Sequence, residues 1–361
     1  MSAPIDLRSD TATRPSAAMR EAMASAEVGD EQEREDTTVL ELERRVAELL
    51  GQEEAVYLPT ATMANQIALA VQTRPGDELV LEAAAHIVRY ERGGAARHSG
   101  LQLRPLAGDG GTFSPEQLRE AFRRGDEWEP ATGLVAVEDT HNAAGGAVWP
   151  LDRLDALLDA AREVGVPAHL DGARLPNAAV ALDVPPARLA GRFDTVSLCL
   201  SKGLGAPLGA LIAGSRELMR RARREKHAFG GAMRQAGIVA AAGLYALDHN
   251  LARLAEDHVR ARRLAEGLVE AGVPVELDRV QTNFVQVPLA DDLSVPEALG
   301  RLREHGVLLS DTGPRTLRAL THLDVSDDDV ERATRLIPAA LGGRRRLAGA
   351  AKREAGSRAR A

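Results

Sequence analysis

Cysteine is nearly absent. Cys199 is the only one in 361 residues, which excludes an intrachain disulfide and fits a reducing, cytoplasmic compartment. Lysine is scarce as well: of 45 basic residues, only Lys202, Lys226 and Lys352 are lysine, so arginine is the default cation of this chain. No apolar run reaches the roughly 18 to 20 residues of a membrane span. The opening "MSAPIDLRSDTATRP" has neither the basic nor the apolar segment of a secretory signal. The nine histidines show no metal-ligand spacing, so no metal is expected. There is no internal repeat and no low-complexity linker.

What is present reads as a globular protein, with 44% hydrophobic and 27% charged residues. The length exceeds one comfortable core, so two lobes are expected. The net charge of −8 is uneven, because seven basic residues and one acid follow position 343 and leave −14 on the rest. An acidic body argues against nucleic acid as the main partner, and no membrane partner is expected. The basic tail reads as a disordered end.

Strand-like and helix-like stretches alternate through the first two thirds. Strands are expected at 54–59, 77–82, 101–106, 133–139, 166–171, 193–201 and 208–214, with helices at 62–74 and 151–165 between them. That alternation predicts an α/β protein with a mostly parallel sheet covered by helices. The segment 215–229 reads as a helix, and 233 to about 271 as one long helix joining two lobes. Strands "VPVELD" and "NFVQVPL", helix "VPEALGRLREHG", strands near "VLLSD" and "TLRALTHL", and helix "DDVERATRLIPAAL" would form the smaller lobe. The expected organisation is residues 1–245 as a large domain with an N-terminal arm, 246–341 as a small α+β domain, and 342–361 as the tail.

Open α/β sheets bind ligands at their strand ends. Three such ends carry polar groups here: Asp171 with Arg174 in "LDGARL", Lys202 in "SKG", and Thr60 and Thr62 in "YLPTATMAN". A lysine amine can lose its proton and form an imine, which an arginine cannot. A carboxylate, such a lysine and a helix start able to hold phosphate are what pyridoxal phosphate requires. Taken singly each has a plain reading, Asp171 as a turn residue and the threonines as helix caps.

The chain resembles the low-specificity threonine aldolases, pyridoxal-phosphate enzymes of fold type I. The likeness rests on "RSDTATRP" (8–15), "EDTHNAAGG" (138–146), "HLDGARL" (169–175), "SLCLSKGLGAPLG" (197–209) and "MRQAG" (233–237), and runs to "THLDVS" near residue 326. The resemblance implies that Lys202 carries the cofactor, Asp171 pairs with its pyridine nitrogen and His86 stacks on its ring. It implies Thr60, Ala61 and Thr62 as the phosphate loop, with Arg234 reaching the phosphate from a neighbouring subunit. Ser9, Arg174 and Arg318 would hold the substrate carboxylate, with Tyr90 near the mouth of the site. A homo-oligomer, dimer or tetramer, with shared active sites follows from Arg234 and the 28–38 segment. The implied reaction is cleavage of L-threonine, L-allo-threonine and related β-hydroxy-α-amino acids to glycine and an aldehyde. Alternatives are another reaction on a small amino acid, alanine racemisation or β-elimination, and a non-catalytic binding protein of the same fold.

Read without the resemblance, His86 is a core or capping histidine, while Arg174 and Arg318 have plain alternatives as a surface ion-pair partner and a solvent-facing strand residue. His141 reads as fixing its loop, Cys199 as a small buried hydrophobe and Lys226 as part of a solvated basic face. The chain also departs from the family pattern, with Glu33 and Arg34 for Tyr-Gly, Thr37 for proline, Ala61 for glycine, Trp128 for a histidine and His227 for a lysine.

Overall fold

The computed structural model describes residues 3–342; the expected disordered tail, apart from Gly342, lies outside them. The described chain forms two compact units, Thr13–Leu254 and a smaller one that joins the first twelve residues to those from Ala255 onward.

In the larger unit, β2 (Glu54–Leu58), β3 (Glu78–Glu82), β4 (Gln102–Leu106), β5 (Thr132–Glu138), β6 (Ala168–Gly172), β7 (Thr195–Cys199) and β8 (Ala210–Gly214) form one sheet. Its order is β2-β8-β7-β6-β5-β3-β4. β4, β3, β5, β6 and β7 are mutually parallel, while β8 runs antiparallel between β7 and β2. Central strands such as β7 and β8 are buried throughout, as strands covered on both faces must be. The helix Thr37–Leu50 buries Val39, Leu42, Val46 and Leu50, an apolar stripe at helical spacing. The helix Ala61–Gln72 sets Ala64, Ile67 and Val71 against Val56 and Leu58 of β2. This is the mostly parallel, helix-covered sheet of fold type I.

The smaller unit has its own core, which includes Leu264, Leu268, Val285, Leu302 and Ile337. β1 (Ile5–Asp6) pairs in parallel with β10 (Val307–Leu308), so the N-terminal arm packs with the C-terminal chain, whereas the sequence reading grouped it with the large lobe. β9 (Phe284–Pro288), β11 (Ser310–Gly313) and β12 (Thr316–Leu320) make an antiparallel sheet of order β11-β12-β9. The helices Leu254–Glu270, Val295–Glu304 and Asp327–Leu341 complete it.

Three sequence expectations are corrected. The long helix is two, Gly237–His249 and Leu254–Glu270. The break falls where the Asn250 side-chain amide donates to the Leu204 carbonyl at 2.8 Å. "VPVELD" is not a strand: Val273 N–H closes the preceding helix on Leu268 O, and the buried Val273 and Val275 satisfy the alternating pattern without a ladder. Lys226 is buried rather than solvated. It ends the helix Arg216–Ala228 with its amine on the Glu31 carboxylate, a partner about 200 positions away that no local pattern reveals.

Candidate active site

The parallel strands end on one edge, where the polar residues gather. Asp171 on β6 lies in register with Glu138 on β5 and Ser197 on β7. On the same edge Leu58, Ala210 and Cys199 share a row across β2, β8 and β7. The starts of the helix Ala61–Gln72 and of the Lys202 loop are therefore brought level.

Lys202 is half-buried in a loop whose backbone is closely pinned. Its carbonyl accepts from Gly205 N–H at 2.8 Å and from the Thr13 hydroxyl at 2.9 Å, and Leu200 N–H bonds Gly209 O at 2.9 Å. Gly209 has φ of 112° and a Cβ there would meet the Tyr57 hydroxyl at 2.6 Å, so only glycine closes this loop. Among the described residues no carboxylate pairs with the Lys202 amine.

Asp171 is buried, and its Oδ2 accepts from the Asn65 side-chain amide at 2.8 Å. Burial alone would raise its pKa. The charges of His86 and Lys202 and the Asn65 N–H outweigh that and hold the carboxyl below the ordinary aspartate value. Asn65 has its other amide hydrogen on Glu91 Oε1 at 2.8 Å, while its carbonyl accepts from the Ser197 hydroxyl at 2.8 Å and from His169 Nε2 at 3.1 Å. His169 Nδ1 in turn takes the Thr195 hydroxyl at 2.9 Å, and Gln72 donates to that oxygen at 2.7 Å. Burial pushes the His169 pKa down to about 4, so this imidazole is neutral.

His86 begins the short helix His86–Arg89 after β3, with its N–H on Glu138 Oε2 at 2.6 Å and its Nδ1 2.9 Å from Glu91 Oε1. Burial favours the neutral ring, but the Glu91 hydrogen bond and the Asp171 and Glu91 charges prevail against it and against Lys202. The His86 pKa is raised. Tyr90 is exposed, its ring 5.4 Å from the imidazole. His86, Glu91 and Asp171 bring ligand-type atoms within 4.8 Å of one another. A metal there would face the Asn65 N–H groups that both carboxylates already accept.

Thr60 caps the helix Ala61–Gln72, its hydroxyl accepting from Met63 N–H at 3.2 Å. The N–H groups of Ala61 and Thr62 fall in the first turn, where helices leave donors without an internal acceptor. Ala61 in place of glycine carries no backbone strain, since it is already helical. Arg174 is buried at the start of the helix Leu175–Leu182, and its guanidinium reaches Asn142 Oδ1 at 3.4 Å. His141 is buried, fixes its loop through Ala147 O and Ala144 N–H, and sets Nε2 2.9 Å from Glu82.

Arg234 is exposed and paired with Asp30 at 2.9 Å. Ser9 and Arg318 belong to the smaller unit, where the Ser310 hydroxyl links the Arg8 carbonyl (2.8 Å) to Arg318 Nε (2.9 Å). Arg34 has φ of 59°, the left-handed region that glycine adopts without strain. Trp128 is 88% exposed, and His227 is exposed at the last turn of its helix.

Sequence reasoning missed Asn65, Glu91 and the neutral His169. Its one available signal was the amide pair Asn65-Gln66 inside an otherwise apolar helix, since buried amides need partners.

The sheet order and strand-end residues define a fold type I protein. Residues 6–291 match the family described as Beta-eliminating lyase, and the chain belongs to that family. It is 42% identical over 327 residues to the low specificity L-threonine aldolase of Escherichia coli (strain K12), covering 90% of this chain and 96% of the relative. It is also 36% identical over 321 residues to alanine racemase TOXG of Cochliobolus carbonum, covering 85% and 81%. Among solved structures it is similar to the threonine aldolase of Leishmania major, with TM-score 0.82, 19% identity, and 94% and 100% of the two chains covered.

Proposed function

We propose that the chain is a pyridoxal-phosphate-dependent aldolase that cleaves the Cα–Cβ bond of L-threonine, L-allo-threonine and related β-hydroxy-α-amino acids. The carrying observation is that Lys202, an amine with no carboxylate partner among the described residues, and the buried Asp171 come to one sheet edge, where the Lys202 charge acts on the Asp171 carboxyl. The likeness to an aldolase over 90% of the chain supports it.

The residues present fit the cofactor. A buried carboxylate that accepts an amide hydrogen suits a protonated pyridine nitrogen. The first-turn N–H groups at Ala61 and Thr62, with Thr60, suit a phosphate. Lys202 would bond the aldehyde and His86 would lie against the ring. When bound, pyridoxal phosphate supplies an electron sink for the bond that breaks at Cα.

The chain's own residues do the remaining work. Arg174 takes the substrate carboxylate, and buried in its loop it fixes the amino acid's orientation. The same binding role is assigned to Ser9 and Arg318 on the resemblance, as is a place at the mouth for Tyr90. The β-hydroxyl loses one proton and Cα gains one, so threonine becomes glycine and acetaldehyde with no oxidant required. Arg234 is given to a neighbouring subunit's phosphate in a homo-oligomer; an active monomer in sedimentation would contradict that part.

The likeness to an alanine racemase favours a second reading, in which the Cα–H bond breaks instead. The test is to supply cofactor-loaded protein with L-threonine, L-allo-threonine, their D-enantiomers and L-alanine. Aldehyde from the L-β-hydroxy substrates with optically stable alanine is expected. Racemised alanine without aldehyde would replace the aldolase by the second reading.

A further inference from the structure

Glu91 is a buried carboxylate without an assigned role. It follows the short helix that carries His86, and its oxygens take three donors: Asn65 Nδ2 at 2.8 Å, His86 Nδ1 at 2.9 Å and Gln66 Nε2 at 2.5 Å. Two features of the backbone serve this placement. Arg92 adopts φ of 56° immediately after it, in the left-handed region that strains a non-glycine residue. At Gly94 a Cβ would sit 2.6 Å from Gln66 Cδ and would push that amide from its place on Glu91. The chain thus accepts strain and close approach around one carboxylate, and that carboxylate meets the site at the His86 ring.

We propose that Glu91 is a positioning residue of this site: it fixes the His86 imidazole and, through the Asn65 amide it shares with Asp171, locks the two carboxylates into one geometry. Asn65 has no freedom to flip. Its two hydrogens serve Glu91 and Asp171, and its oxygen serves Ser197 and the neutral His169. Charge follows from the same contacts. The groups facing His86 are Glu91, Asp171 and Lys202, with Glu138 on its backbone N–H; the first two favour the imidazolium and Lys202 opposes it. Removing the Glu91 charge leaves burial and Lys202 against Asp171 alone, so the titration of His86 moves to lower pH.

This inference rests on the cofactor reading above, and its test separates the two. Glu91→Gln keeps the shape and removes the charge. The His86 ring is followed by NMR against pH, with and without pyridoxal phosphate, in wild type and variant, and the cofactor's dissociation constant is measured by equilibrium dialysis. The expected result is a lower His86 titration point in both states of the variant and a dissociation constant raised about tenfold. A merely structural Glu91 would lower the melting temperature and leave the His86 titration unmoved, and that outcome overturns the proposal. Should E91Q not fold, the wild type decides: a His86 titrating at or below the ordinary imidazole value also overturns it. If wild-type protein releases no aldehyde while the two titrations differ, the aldolase reading fails and the Glu91 assignment stands.

Discussion

At the scale of single residues, the site is a problem of charges kept in a dry place. Lys202 was legible from counting alone, because a lysine in a chain that otherwise uses arginine at 42 positions asks for chemistry arginine lacks. Glu91 was not legible, and Asn65 only as a buried amide in need of partners, since what defines them is contact across 26 and 106 positions. Asp139 shows the cost of burying a carboxyl poorly: among the described residues one oxygen has only a 3.4 Å bond from Trp149 N–H and the other has no hydrogen-bond partner. Burial pushes its pKa up to about 8. A folded pKa above the unfolded value means that Asp139 stabilises the fold below about pH 4, and that this contribution is lost as pH rises to about 8. Asp139→Asn should therefore gain on the wild type between those limits and hold a constant lead above them. The lead should reach at most about 6 kcal/mol, less the amide's own unmet bonds. Urea unfolding across that range checks this, and a gap independent of pH would contradict it.

At the scale of elements, strands and helices of the larger unit were readable because buried parallel strands and amphipathic helices write their periods into the sequence. The misreadings share one cause: a tertiary partner decided the outcome. Lys226 looked solvated until Glu31 was placed on it, and the helix expected over 233–271 is interrupted where Asn250 bonds Leu204. The segment 29–36 is tied to 226–237 by the same logic. Asp36, fully buried, caps the helix Thr37–Leu50 through Val39 N–H at 3.0 Å and also accepts from Gly29 N–H at 3.2 Å and Gly237 N–H at 2.8 Å. Asp36→Ala orphans three backbone donors at once and should cost about 2 to 4 kcal/mol in urea unfolding. A loss under about 1 kcal/mol would mean that water or a backbone shift replaces the carboxylate.

At the scale of the molecule, one sheet gathers residues from positions 60 to 202 onto a single edge, because its parallel strands all end there. The sequence announced the sheet and named most of the residues on that edge. It did not announce that residues 3–12 fold with the chain after Leu254, since a two-residue strand pairing with 307–308 leaves no local pattern. No helix among the described residues is long and apolar enough to cross a membrane. The central claim is that Lys202 makes this edge an aldolase site. The most direct measurement follows acetaldehyde and glycine formed from L-threonine by cofactor-loaded protein, wild type beside Lys202→Ala. Equal amounts of the two products, lost by at least about a thousandfold in a folded variant, are predicted. Product formation that survives the substitution, or none from a cofactor-loaded wild type, would contradict the account.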